Sequence, residues 1–152
     1  MCLRTVLIPF VAPGTALFLA LAFPGANEEK GQLMAVDPRK EDLERLAAED
    51  PGGPVVMLNL LRFTPGGEAT YQEYARHTGP FLKRYGGRLL YAGQGSTALV
   101  AEDGQAWDAI LVVQYPSRDA FLRMVADPEY RKVTELRSTA LSEAVLQATV
   151  PW

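Results

Sequence analysis

"GPVVMLNLLRF", residues 53–63, decides the fold. It stands between two runs of chain breakers, Asp50-Pro51-Gly52-Gly53-Pro54 and Thr64-Pro65-Gly66-Gly67, so its apolar core is too short for a buried helix and reads as a buried strand. Successive side chains of a strand point to opposite faces. One face carries Val55, Met57, Asn59, Leu61 and Phe63, and the other carries Val56, Leu58, Leu60 and Arg62. Both faces are mostly apolar, so both need cover.

A second stretch of the same kind, "WDAILVVQY" at 107–115, is ended by Pro116. Its two sets are Trp107, Ala109, Leu111, Val113 and Tyr115 against Asp108, Ile110, Val112 and Gln114. The wholly apolar, larger-residue set matches the Asn59 set, and both are expected to meet helices. Val56, Leu58, Leu60, Ile110 and Val112 would then form an apolar patch larger than a soluble monomer usually exposes. Packing sheet against sheet in a two-fold dimer removes it, so a homodimer through the sheet face is expected.

The remaining elements follow from spacing and caps. Asp37-Pro38 is a helix start, and Leu43, Leu46 and Ala47 give one apolar stripe, so a short helix is predicted over 38–49. A long helix over 67–85 shows Tyr71, Tyr74, Ala75, Thr78, Phe81, Leu82 and Tyr85 on one face, with Pro80 opposite and "YGG" as its stop. A second strand is predicted over 88–101 and a turn at "AEDGQA". Ser117 caps a helix over 118–126 with Phe121, Met124 and Val125 inward. Asp127-Pro128 opens another helix through Arg137, with Tyr130, Val133 and Arg137 on one side, and "SEAVLQATV", 142–150, is the last strand. An extra N-terminal helix followed by β-α-β-β-α-β, with right-handed crossovers, is an α+β ferredoxin-like fold: a four-stranded antiparallel sheet with the helices on one face.

The composition excludes several functions. Of 152 residues, 48% are apolar and 22% charged, which is ordinary for one globular domain. The net charge of -3 and the lack of any basic run argue against a nucleic-acid partner. One cysteine, Cys2, and one histidine, His77, leave no zinc site of the usual kind and no internal disulfide. No nucleophile elbow, phosphate loop or dinucleotide fingerprint is present, so no cofactor is expected.

Residues 1–33 differ from the rest, and the domain proper is expected over 34–152. The long apolar run after Arg4 could be a secretory signal cleaved after Ala20-Leu21-Ala22, a membrane anchor, or a stretch upstream of the true start. Pro9, Pro13 and Gly14 weaken the first two. The third is supported by "EEKGQLM", whose Glu and Lys codons are purine-only and whose Gly codon starts GG, a purine run shortly before Met34 that resembles a bacterial ribosome-binding site. The domain is then expected to be cytoplasmic, without a membrane; a working signal over 1–22 would make it secreted or periplasmic.

Asn59 is the polar residue of the layer between sheet and helices, where an unsatisfied amide costs about 1–3 kcal/mol. Its partners are to be sought among Tyr71, Tyr74, Trp107, Tyr115 or a ligand. His77, one turn after Glu73, is either a boundary residue paired with that carboxylate or a general base at the cleft mouth. Arg62 is a rim or interface residue, or an anion anchor. Arg137 is either paired with a carboxylate such as Asp108 or aimed at a substrate carboxylate. Two functions are open: an enzyme or binder using the Asn59–Trp107–Tyr115 cleft for a planar aromatic or acyl compound, and a dimeric scaffold with a filled core.

"LNLLRF", "GGR", "YPS" and "DPEY" with the later Arg137 resemble the domain of unknown function 1330, a branch of the dimeric α/β-barrel superfamily, over about residues 36–150. The resemblance implies a ferredoxin-like protomer whose sheets pair into a barrel, and no assigned reaction. It also brings in a cofactor-free monooxygenase-like alternative. Haem-degrading members of the superfamily use an asparagine on the first strand, a tryptophan on the third and a histidine on the following helix. Asn59 and Trp107 match the first two, but the helices after the third strand contain no histidine, so the iron ligand is missing.

Overall fold

The computed structural model describes residues 35–152; the leader over 1–33, with its signal and start-site readings, lies outside the described residues. The elements run α1 Lys40–Ala48, β1 Val55–Phe63, α2 Gly67–Arg84, β2 Arg88–Gln94, β3 Ala109–Tyr115, α3 Arg118–Ala126, α4 Pro128–Ala140 and β4 Leu141–Thr149. The strands form one antiparallel sheet in the order β2-β3-β1-β4. This is the ferredoxin-like α+β fold expected from the sequence, with β1 and β3 at its centre. No described helix is long and apolar enough to cross a membrane.

The alternation along β1 and β3 sorts the layers as expected. Val55, Met57, Leu61, Ala109 and Tyr115 belong to the core with Tyr71 and Tyr74 of α2, Phe121 and Met124 of α3, and Tyr130 of α4. Val56, Leu58, Leu60, Ile110 and Val112 take no part in that core. On that opposite face they remain half-buried in the single chain. Leu61, wholly buried, and Met57, almost so, anchor β1. Truncating either to alanine would cost about 2–5 kcal/mol through the cavity left behind.

The caps behave as sequence chemistry dictates at α3 and α4. Ser117 Oγ accepts from Ala120 N at 3.0 Å, and Asp127 Oδ1 accepts from Glu129 N at 2.9 Å. The expected start of α1 is corrected. The helix begins at Lys40 after Arg39, not at Pro38, because the Asp37 carboxylate is taken by Arg137 and Ser138 and is not free to cap. The expected second strand over 88–101 is also too long: β2 ends at Gln94, and 95–108 is a connection instead of a tight turn. At Gly95 a Cβ would collide with the Trp107 carbonyl, so the two arms close face to face there, held by Gly95 N donating to Asp108 O at 2.8 Å. β3 correspondingly starts at Ala109, two residues later than expected, since Asp108 turns to accept from Phe63 N at 2.8 Å.

Candidate functional site

Between the sheet and the helices lies a cavity of about 460 Å³. Its floor is the helix-facing set of the two central strands: Met57 and Asn59 of β1, and Leu111, Val113 and Tyr115 of β3. Its walls come from helical spacing. Tyr71, Tyr74 and Thr78 recur along one face of α2, and Tyr130 and Arg137 share one face of α4. Small-molecule sites of this size, apolar with a few convergent polar groups, are common.

Four phenols dominate the polar lining. Tyr74 and Tyr130 hydroxyls meet at 2.6 Å across the α2–α4 contact. Burial pushes the ionisation of Tyr71, Tyr115 and Tyr130 well above the usual tyrosine range, because a phenolate taken out of water loses its solvation. Proximity of the phenols to one another adds to that shift, and the Arg137 charge opposes it at Tyr71 and Tyr130. All three therefore remain neutral at physiological pH: each hydroxyl can donate or accept a hydrogen bond, but none is a phenolate base.

Arg137 is 6% exposed. Its Nη1 donates to Asp37 Oδ1 at 2.7 Å and to the Val36 carbonyl, so its carboxylate partner is Asp37 and not Asp108. Asp108 instead closes the β1–β3 end through Phe63 N. The second guanidinium nitrogen, Nη2, is buried without a partner, as is Thr78 Oγ1. Thr78 had counted only as an apolar position of the α2 face. Asp37 and Arg131 also line the cavity and were missed. Arg131 stands at the exposed edge of the lining, with its Nε 3.4 Å from the Val125 carbonyl, and nothing in its sequence context marks it.

Asn59 faces the cavity but finds none of the aromatic partners expected of it. Its Nδ2 reaches the Met57 carbonyl at 3.5 Å, at the limit of a hydrogen bond. Tyr74 and Tyr115 stand in the same lining.

Three expected site residues lie elsewhere. Trp107 is in the connection before β3, outside the strand alternation that would have turned it inward, and the Arg62 guanidinium carbon stacks 4.9 Å from its ring centre. Arg62 points to the other face, where its Nε meets Glu143 Oε2 of β4 at 2.8 Å and its Nη2 donates to the Gly104 carbonyl. It clamps the 95–108 connection to the sheet. The pair shapes a separate shallow hollow with Glu68, Gln94 and Asp108. His77 sits more than half exposed on α2, with Nε2 3.7 Å from Glu73 Oε1, and does not line the cavity, so the cleft-mouth base expected of it is not where a base would act.

Against known proteins, a family model described as "Domain of unknown function (DUF1330)" matches residues 60–148, more than half of the chain. A crystal structure of a protein of unknown function from Rhodopseudomonas palustris is similar at 33% identity, with 78% of this chain and 98% of that one covered and a TM-score of 0.72. An Arabidopsis thaliana protein is similar in fold alone, at 14% identity over 64% of this chain and 95% of that one, with a TM-score of 0.50. No curated protein matches the chain.

Proposed function

The chain belongs to the family of domain of unknown function 1330, and on that premise we propose that it is a homodimeric protein that binds a small aromatic or acyl molecule between its sheet and its helices. One observation carries the reading: the space between the layers is not filled. Large aromatic side chains stand around about 460 Å³ instead of closing it. A dry, packed core would have supported the scaffold reading instead. Aromatic walls from Tyr71, Tyr74, Tyr115 and Tyr130 suit a planar guest, since offset or edge-on ring contacts add about 0.5–1.5 kcal/mol to the burial of area. Asn59 offers the floor's only amide, with one carbonyl oxygen free for the guest.

The homodimer is supported by the other side of the sheet. Val56, Leu58, Leu60, Ile110, Val112 and Val145 lie opposite the helices, outside the core, and no described helix covers them. Contiguous apolar surface of that kind is ordinarily an interface.

Thermal-shift screening of the full chain against quinones, phenols and small acids tests the binding, with Asn59→Ala run in parallel. A guest raises the melting temperature of the wild type, and the alanine variant keeps its fold while its affinity falls by about 1 kcal/mol or more. No shift by any compound, together with a destabilised Asn59→Ala, would return the asparagine to a purely structural role and favour the scaffold.

A further inference from the structure

Of the four tyrosine hydroxyls around the cavity, two are satisfied and two are not. Those of Tyr74 and Tyr130 bond each other at 2.6 Å. Those of Tyr71 and Tyr115 have no hydrogen-bond partner among the described residues, although the two residues are only 8% and 6% exposed. They differ from Thr78 Oγ1 and Arg137 Nη2, which are sealed into the packing where no guest reaches them. Each of the two free hydroxyls keeps open surface, and the space that its side chain borders is the cavity. A native interior rarely withholds a hydroxyl from bulk water without giving it a partner. Two such hydroxyls at one cavity are places for a guest.

The kind of guest follows from what these hydroxyls offer and from what the lining lacks. A phenol is a good donor and a weak acceptor, because its lone pair is drawn into the ring, so its best partner is an acceptor oxygen. Tyr115 feels the charge of Tyr71 and Tyr74, and Tyr71 feels that of Tyr74, so the hydroxyls gather in one region of the lining. Charge is matched or lies outside: Arg137 bonds Asp37 at 2.7 Å, and Arg131 stands at the exposed edge. An ion entering the cavity would shed its water and find no free counter-charge, which is a large penalty. The floor adds one neutral amide, Asn59, and the apolar side chains of Met57, Leu111 and Val113, which call for a hydrocarbon body.

We propose that the guest is an uncharged, flat ring compound bearing a ketone or ester carbonyl, whose oxygen takes hydrogen bonds from the Tyr71 and Tyr115 hydroxyls, and that the matching carboxylate is excluded. A carbonyl oxygen has two lone pairs and can take both donors. This rests on the cavity being a binding site, as argued above, and narrows the aromatic or acyl class to its uncharged carbonyl members.

Calorimetric titration of the full chain with 2-acetylnaphthalene, 2-ethylnaphthalene and 2-naphthoate tests it, on the wild type and on the double variant Tyr71→Phe/Tyr115→Phe. The three probes share a body and carry a ketone, no oxygen and a carboxylate. The ketone binds the wild type, and the carboxylate binds roughly a hundredfold more weakly or not at all. The double variant weakens the ketone by about three- to tenfold and leaves the hydrocarbon unchanged. Because neither hydroxyl has a protein partner, the double variant keeps the urea midpoint of the wild type. A fall as large as that of Tyr130→Phe would mean that the hydroxyls are bonded within the protein, and would overturn the inference. A carboxylate as tight as the ketone overturns the uncharged class, and a ketone indifferent to the double variant leaves the hydroxyls to water and overturns their assignment. If 2-acetylnaphthalene does not bind while phenols or small acids still shift the melting temperature, the inference falls and the cavity stands. If no compound binds, the cavity reading falls with it.

Discussion

The Tyr74–Tyr130 contact sets a sharp test of how dry the cavity is. Both residues are buried, at 7% and 6% exposure, and their hydroxyls are 2.6 Å apart. Tyr130→Phe removes one partner and leaves the Tyr74 hydroxyl with nothing to bond, at a cost of about 1–3 kcal/mol. Tyr74→Phe does the same in reverse. Removing both hydroxyls leaves no orphan, so the double variant should fall within about 1 kcal/mol of wild type. The singles should then exceed the double, with a coupling of about 1 kcal/mol or more between two residues in contact. For a domain of this size, 1 kcal/mol moves the melting temperature by about 3–5 °C. Urea midpoints at one fixed protein concentration are the assay, because association would make stability concentration-dependent. If each single variant costs no more than the double, water in the cavity is satisfying the freed hydroxyl. The desolvated lining would then be wrong.

Three further outcomes are expected. Stability should drop steeply in alkali: Tyr71, Tyr115 and Tyr130 have folded ionisations raised above the ordinary value near 10, so the unfolded chain loses protons first and stability falls as pH rises above about 10. Below that pH both states are protonated and the curve is flat from this source; a flat curve to well above pH 11 would contradict it. Leu58→Glu, which puts a charge on the uncovered sheet face, should convert a species of twice the chain mass in light scattering into a smaller one, and a wild type that is monomeric at micromolar concentration refutes the interface. His77→Ala should change the melting free energy by less than about 0.5 kcal/mol and leave ligand binding intact at every pH, since the ring is outside the cavity and its contact with Glu73 is solvent-exposed; an altered pH dependence of binding would restore it as a functional base.

The sequence makes legible what local periodicity determines. The period of two along β1 and β3 was enough to send Asn59, Met57 and Tyr115 to the helices and Leu58 and Ile110 away from them, and the helical spacing of Tyr71, Tyr74 and Thr78 was enough to turn them inward. Short caps such as Ser117 and Asp127 are read from one residue and its neighbours. Long-range pairing is not. Asp37 looked like a helix cap because nothing nearby reveals that Arg137, a hundred residues on, takes its carboxylate. Trp107 was given the parity of a strand that does not reach it, since Asp108 breaks the ladder to bond the end of β1. The unpaired atoms at Thr78 and Arg137 could not be seen at all, because a missing partner is a property of packing and not of composition.

One strand ties the two faces together. Asn59 lies opposite Leu111 and Leu146, while Leu58, its neighbour, lies opposite Val112 and Gln147. Because the side-chain period is two, the register that points Asn59 into the cavity also points Leu58 to the uncovered face, and a slip of one residue would exchange them. The exchange would put Arg62 into the wholly buried place of Leu61 and strip it from Glu143. An unpaired buried guanidinium costs several kcal/mol, which is enough to hold the register. A sheet held this firmly makes the cavity floor and the proposed association face two sides of one element. Covering the outer face would therefore steady the strands on which Asn59, Leu111 and Val113 stand, and a guest on the inner face would steady the surface proposed to meet a second copy.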